Sequence, residues 1–156
     1  MTPSLHDEIA AFLAGQNTAG LATVADDGSP HAANVWYAPD DRLNLYFVSS
    51  PASAHSRHLA RHPQAAVTVF APTDRPQDIR GLQMQVLCVA LSDPVARRAG
   101  LEVYTRRYPF VDRVPALRQR LEVECLYQAR PTWLRWIDNR RGFGFKVEVS
   151  LDADTD

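Results

Sequence analysis

The sequence is poor in cysteine: the 156-residue chain has two, Cys88 and Cys125, and each lies in an apolar segment. Two distant thiols in such surroundings are typical of small buried side chains, which argues against a disulfide or a redox pair. The chain also lacks a run of about 20 apolar residues, the length that a membrane-spanning helix needs. Its start, MTPSLHDEIAAFL, has neither the positive region nor the apolar run of a secretory signal. These absences predict a cytoplasmic protein without membrane contacts.

Strong net charge is absent as well, since the formal net charge is −1 at pH 7. Basic and aromatic residues are concentrated within residues 97–146, but a domain that is slightly acidic overall is not typical of nucleic-acid binding. A phosphorylated small molecule suits the basic region equally well. No Ser-His-Asp triad, glycine-rich phosphate loop or paired carboxylates are visible. Any chemistry would therefore belong to a cofactor, and no catalytic residue is assigned.

Hydrophobic periodicity predicts one domain over residues 1–150, followed by a short tail at 151–156. Ser4 and Asp7 form a capping box for a helix that ends at Gly15. Residues 19–49 then predict a three-stranded antiparallel meander, with a hairpin turn at Asp27-Gly28.

The rest of the chain alternates between strand patterns and short helices. A helix is expected over about 52–62, and further helices follow Pro94. In all, six or seven short strands are predicted, and closure into an antiparallel barrel with flanking helices would remove their exposed edges. The fold class is therefore mainly β.

The segment SSPASAHSRHLARHP, residues 49–63, allows three interpretations. The first is a metal site, because His55, His58 and His62 share one helix face. However, His55 and His62 are two turns apart, about 10 Å along the axis, so one ion can hardly bind both. The other two interpretations are a phosphate site and an ordinary capped, solvated helix.

The phosphate interpretation rests on the start of this helix. Free N–H groups and the helix dipole attract anions there. The hydroxyls of Ser49, Ser50 and Ser53 add hydrogen-bond donors, and His55 adds a proton donor or a positive charge. Serines before a helix are also ordinary caps, so the residues alone leave this choice open.

Taken together, the segments GSPHAANVWYA, LYFVSSPASAHSRHLARHPQAAVTVF and IRGLQMQVLCVAL resemble the FMN-binding split-barrel superfamily of pyridoxamine 5′-phosphate oxidase. The resemblance covers about residues 5–146. IRGLQ and WIDNRRGFG point to a small, poorly characterised branch of it. It implies a Greek-key split β-barrel and a homodimer that binds FMN non-covalently at the subunit interface.

The resemblance also implies a set of cofactor-binding residues. Val35 and Trp36 match the strand along the flavin ring, while Val48, Ser49 and Ser50 match a strand end that faces the cofactor. Ser53 and His55 match the Ser-x-Lys pair that holds the phosphate. Gln83 matches a glutamine that contacts the ring, and Trp136 and Arg140 are expected to approach the flavin of a partner subunit.

The sequence differs from the oxidases at several positions. Ala33 stands where they have an arginine, His55 stands where they have a lysine, and their C-terminal arginine-histidine signature is not visible. We therefore expect an FMN-dependent oxidoreductase with another activity, which uses a nicotinamide donor or a small organic substrate. The alternative is a non-catalytic binding protein for flavin, haem or another planar ligand.

Overall fold

The computed structural model describes residues 2–151, which form one antiparallel β-sheet with flanking helices. The strands are β1 (Thr18–Val24), β2 (Pro30–Trp36), β3 (Ala38–Pro39), β4 (Leu45–Ser49), β5 (Gln64–Phe70), β6 (Arg80–Ala90), β7 (Cys125–Asp138) and β8 (Lys146–Ser150). The helices are α1 (Leu5–Gly15), α2 (Ala54–Arg61), α3 (Pro94–Arg107), α4 (Phe110–Arg113) and α5 (Pro115–Val123). Within the described residues, no helix is long and apolar enough to cross a bilayer.

The sheet follows the order β2-β1-β5-β6-β7-β4-β3, and β8 also pairs with β7. β7 is the central strand of this arrangement: one edge pairs with β6, while the other pairs first with β4 and then with β8. All pairings are antiparallel. The predicted split β-barrel is confirmed. Within the described residues it has eight strands, and the shortest, β3, has only two residues.

The predicted three-stranded meander is wrong in one respect. β1 and β2 form the expected hairpin, with Gly28 at a φ of 83° in the turn, but β4 pairs with β7 rather than β2. β2 ends at Trp36, and Tyr37 is buried in the core, where it donates a hydrogen bond to the Leu13 carbonyl at 2.8 Å. The two residues of β3 follow directly and pair with the other edge of β4. The Asp40 carboxylate then accepts backbone N–H groups of the next turn, which leads into β4.

Helix α1 covers the main core, as its sequence pattern predicts. The Ser4 hydroxyl accepts a hydrogen bond from the Asp7 N–H, and the Asp7 carboxylate completes the capping box. The side chains that α1 buries are those of Ile9, Phe12 and Leu13. Phe12 packs edge-on against Trp136 of β7 at 4.9 Å between ring centroids, which ties the helix to the sheet interior.

Helix α3 packs on the outer side of β4 through a glycine. A Cβ atom at Gly100 would lie 3.0 Å from side-chain atoms of Tyr46, Leu91 and Leu126. The absence of a side chain therefore allows the close approach of helix and strand. Beyond this contact, Tyr104 and Tyr108 belong to a second, smaller apolar cluster.

Both cysteines are free. Cys88 is buried in the main core, and burial raises the pKa of its thiol to about 12. Cys125 is half-buried at the start of β7. The expected absence of a disulfide therefore agrees with the structure.

Candidate functional site

Serine hydroxyls connect the end of β4 to the start of α2. Ser53 is the N-cap of α2: its Oγ accepts the Ser56 N–H at 3.2 Å and donates to Ser56 Oγ at 2.8 Å. The Oγ of Ser49, the last residue of β4, lies 3.4 Å from Ser53 Oγ. The hydroxyls thus meet at a helix start, where the first N–H groups have no intrahelical acceptor.

His55 lies in the first turn of α2 and closes this arrangement. Its Nε2 is 2.6 Å from Ser49 Oγ, within hydrogen-bonding distance. Burial lowers the pKa of His55 below its ordinary value, and the neighbouring His31 and His58 lower it further. The neutral imidazole is therefore favoured at pH 7, and an anion bound beside it would raise this pKa.

Two further histidines surround His55. The His31 ring, on β2, is nearly parallel to the His55 ring, with centroids 6.5 Å apart. The His58 ring meets His31 edge-on at 5.5 Å, and His58 Nδ1 lies 3.0 Å from the hydroxyl oxygen of the buried Thr23. Helix α2 and the β1–β2 hairpin thus bring three imidazoles together next to the end of β4. We call Ser49, Ser53, His31, His55 and His58 the serine–histidine cluster.

His62 lies outside this cluster, two helix turns from His55. Its Nε2 is within hydrogen-bonding distance of the Asp26 carboxylate, at 3.0 Å, and the same carboxylate pairs with Arg61 at 2.8 Å. Among residues 2–151, no three His, Cys, Asp or Glu side chains are arranged to hold a metal ion. The third histidine of the sequence pattern therefore belongs to a surface contact with Asp26.

Val35 and Trp36 lie on opposite faces of β2. Val35 packs against the main core on the face that also carries His31, because residues two and four apart share a side of a strand. Trp36 is 50% exposed on the other face and stacks on Tyr108 at 5.4 Å. The structure therefore places Val35, but not Trp36, on the same face of β2 as the cluster.

Val48 and Ser50 flank Ser49. Val48 packs against the second apolar cluster, so it faces the opposite side of β4 from Ser49. Ser50 lies in the turn after β4, where its Oγ accepts the Ala52 N–H at 3.2 Å. Ser50 thus shapes the turn that precedes α2.

Gln83, Trp136 and Arg140 do not belong to the cluster. β6 and β7 run side by side, and the cluster adjoins the start of β7, whereas Trp136 and Arg140 lie at or beyond its other end. The 14 residues of β7 span roughly 40 Å. Trp136 is 1% exposed in the core, Arg140 is bonded to Asp138 at 2.7 Å, and the Gln83 side-chain oxygen accepts from Arg135 at 3.2 Å. Within one chain these residues do not join the cluster, and their contact with a partner's ligand stays a prediction.

Thr23, His31, Ser56 and His58 are the residues of this site that the predicted set lacks. The sequence does not predict even the pairing of Thr23 with His31, because a two-residue turn at Asp27-Gly28 would place Val24 opposite His31. The observed loop has three residues, 26–28, which shifts the pairing by one. Contact between this pair and α2 depends on how the helix packs on the hairpin. No local pattern determines that packing.

Comparisons with known proteins agree with this architecture. A family model described as Pyridoxamine 5′-phosphate oxidase matches residues 5–127, which include the whole cluster. A pyridoxine/pyridoxamine 5′-phosphate oxidase of Burkholderia lata is 41% identical over 64 residues, which make up 41% of this chain and 30% of that protein. A UPF0306 protein of Klebsiella pneumoniae is 27% identical over 131 residues, 83% of each chain. The structure of a haem binding protein from Mycobacterium smegmatis aligns with a TM-score of 0.75 at 21% identity, over 96% of this chain and 59% of that one. This chain therefore spans only part of the Burkholderia and Mycobacterium proteins.

Proposed function

Because the chain belongs to the pyridoxamine 5′-phosphate oxidase family, we propose that it binds FMN non-covalently and acts as an oxidoreductase. The observation that carries this proposal is the Ser49–His55 contact of 2.6 Å beside the N-cap of α2. Hydroxyl groups, an imidazole and the free N–H groups of the helix start lie together at this contact. Such a set is suited to the phosphate of FMN.

Ser49, Ser53 and His55 would hold the phosphate. Both hydroxyls can donate to phosphate oxygens, and His55 would add a charge-assisted hydrogen bond once the anion raises its pKa. The first-turn N–H groups of α2 and the helix dipole would add to this attraction. These residues therefore fit a phosphate group. Their only cation is His55, which is charged only when it is protonated.

Val35 and Ala33 would form the wall beside the flavin ring. Both share a face of β2 with His31, and neither side chain carries a polar group. A planar ring can pack against such a surface, whereas the arginine of the oxidases would occupy part of this space. The difference at Ala33 supports an activity other than pyridoxamine phosphate oxidation.

A homodimer would complete this site. The outer face of β1, β2, β5 and β6 carries several small residues, namely Gly20, Ala22, Ala32, Ala66 and Gly81. Phe70 is 69% exposed at the same face. A sheet face with small residues and exposed apolar side chains is typical of an interface. Gln83 and Arg140 could reach a ligand at the cluster only from a second copy of the chain.

Bound flavin would supply hydride or electron transfer between a donor and an acceptor. This chain's residues would bind and orient the flavin and restrict solvent around it. The donor we propose is a reduced nicotinamide or a small organic molecule.

Two measurements test this function. First, the protein should quench FMN fluorescence at micromolar concentration, and a colourless protein that does not would contradict FMN binding. Second, anaerobic mixing of the FMN-loaded protein with NADH or NADPH should bleach the flavin absorbance. Flavin that binds but is not reduced by either nucleotide would favour a carrier over an enzyme that uses nicotinamide.

Haem binding is a second candidate, supported by the meeting of three imidazoles. Histidine is the commonest protein ligand of haem iron, and a relative in fold is described as a haem binding protein. In a haemin titration, a sharp Soret band that is lost in His31→Ala or His58→Ala would favour haem. An unchanged band in these variants, together with tight FMN binding, would favour flavin.

A further inference from the structure

A cavity of about 760 Å³ lies between the first half of α1 and the adjoining ends of β6 and β7. It is at the opposite end of β7 from the serine–histidine cluster. Its volume is in the range of small-molecule sites in proteins. The side chains that define its character are those of Phe12, Arg80, Trp136, Asp138, Arg140 and Arg141.

Arg80 is the cation of this cavity that lacks a carboxylate partner. It lies on the inner face of β6 with the core residue Leu82, and its guanidinium is 5.6 Å from the centroid of the Phe12 ring. Among residues 2–151, no carboxylate lies within 4.0 Å of it. Asp138, directly opposite Arg80 in the sheet, is bonded instead by Arg140 at 2.7 and 2.9 Å. Arg80 is half-buried, so its guanidinium can reach an anion in the cavity.

Trp136 lies at the floor of the cavity and can report on its occupancy, although its indole nitrogen is itself buried. The indole is 1% exposed, and its Nε1–H has no partner among the described residues. The Phe12 ring lies beside both Trp136 and Arg80, so both adjoin one apolar surface.

The remaining charges of the lining limit the charge of a ligand. Arg140 is paired with Asp138, and Arg141 is paired with Glu8 at 3.2 Å. Asp7, also in the lining, is engaged in the capping box of α1. Three carboxylates therefore surround the cavity, and one arginine is left without a partner. This balance favours an anion of single charge over a phosphate dianion.

We propose that this cavity binds a small organic carboxylate with an apolar body. Its carboxylate would pair with the Arg80 guanidinium, and its apolar part would lie toward the edges of Phe12 and Trp136. Within one chain this site lies at the opposite end of β7 from the serine–histidine cluster.

Titration of ¹⁵N-labelled protein with benzoate tests this proposal. The Trp136 Nε1–H resonance, identified by its loss in Trp136→Phe, should shift in a saturable manner at millimolar benzoate. Benzamide has the same shape without the charge, and it should bind at least about tenfold more weakly. No saturable shift with benzoate, or equal shifts with both compounds, would overturn the proposal.

Substitutions locate the site. Arg80→Gln should weaken benzoate binding at least about tenfold, while Arg75→Gln, which removes a surface partner of Asp78, should leave it unchanged. Ser53→Ala combined with His55→Ala should also leave it unchanged. Wild-type affinity in Arg80→Gln, or loss in the serine–histidine variant, would contradict this location. Tighter binding of phenyl phosphate than of benzoate would overturn the choice of a monoanion.

Discussion

Ser53 and His55 are the residues on which phosphate binding at the cluster should depend. Replacing both by alanine removes a hydroxyl donor and the imidazole nearest to Ser49. We expect FMN affinity to fall at least about tenfold, because hydrogen bonds to charged groups are the stronger ones. Riboflavin, which lacks the phosphate, should lose little. Fluorescence titration with the two flavins measures this difference.

His62→Ala is the matched control for this variant. It removes a histidine next to the same helix, but one that pairs with Asp26 outside the cluster. FMN affinity should therefore stay at the wild-type value. Equal losses of FMN and riboflavin in the double variant would place the phosphate elsewhere.

The protonation of His55 gives FMN binding a pH dependence of known sign. Burial and the two neighbouring histidines lower the pKa of His55 in the free protein, and a bound phosphate would raise it. Binding would then take up a proton, so FMN affinity should rise relative to riboflavin affinity as pH falls from about 8 to about 6.5. Paired titrations across this range measure the ratio of affinities. A ratio that stays flat, or that falls, would mean that His55 does not bind the phosphate.

Local sequence patterns predict part of this site at the residue scale. Ser53 as an N-cap and His55 in the first helical turn follow from one short segment, and the structure brings them together with Ser49. The contribution of His31 depends on the packing of α2 against the hairpin. A single sequence contains no local signal for such packing.

At the scale of elements, the close contact between α3 and β4 depends on Gly100. Gly100→Val should lower the free energy of unfolding by about 1–3 kcal/mol, because its side chain would overlap the three surrounding ones. Urea denaturation at one protein concentration measures this change.

Gly15→Val, at the end of α1, is the control for this substitution. No atom outside its immediate neighbours lies within 4 Å of a Cβ there, so its effect should stay within about 0.5 kcal/mol. Similar losses at both positions would show that valine acts through helix propensity rather than through packing.

The elements themselves divide into those that local signals define and those that depend on distant partners. α1 and the β1–β2 hairpin have a cap and a turn residue in the sequence, and both form as predicted. The partner of β4 was predicted wrongly, because adjacency along the chain favours β2. In the structure the two edges of β4 pair with β3 and β7 instead.

For the whole molecule, the outer face of β1, β2, β5 and β6 should hold two copies together. Ala66 is exposed near the middle of this face. Ala66→Glu should convert a dimer to a monomer, because it would bury a charge at the interface. It should also weaken FMN binding if the partner contributes to the site. Sedimentation velocity and flavin titration measure the two effects.

Val95→Glu, on the exposed side of α3, introduces the same charge away from this face. It should leave both assembly and flavin binding unchanged. A wild-type protein that sediments as a monomer at all concentrations would refute this dimer, as would an Ala66→Glu variant that remains dimeric.

The pairing of β4 with β7 has a consequence for synthesis of the chain. Leu45 pairs with Ala129, so this edge of β4 has no partner until the ribosome has made nearly the whole sheet. Strands that pair across such separations form late, and their exposed edges invite association with other chains. A nascent chain that stalls before Cys125 would present Leu45 and Phe47 unpaired, which is the kind of surface that chaperones bind.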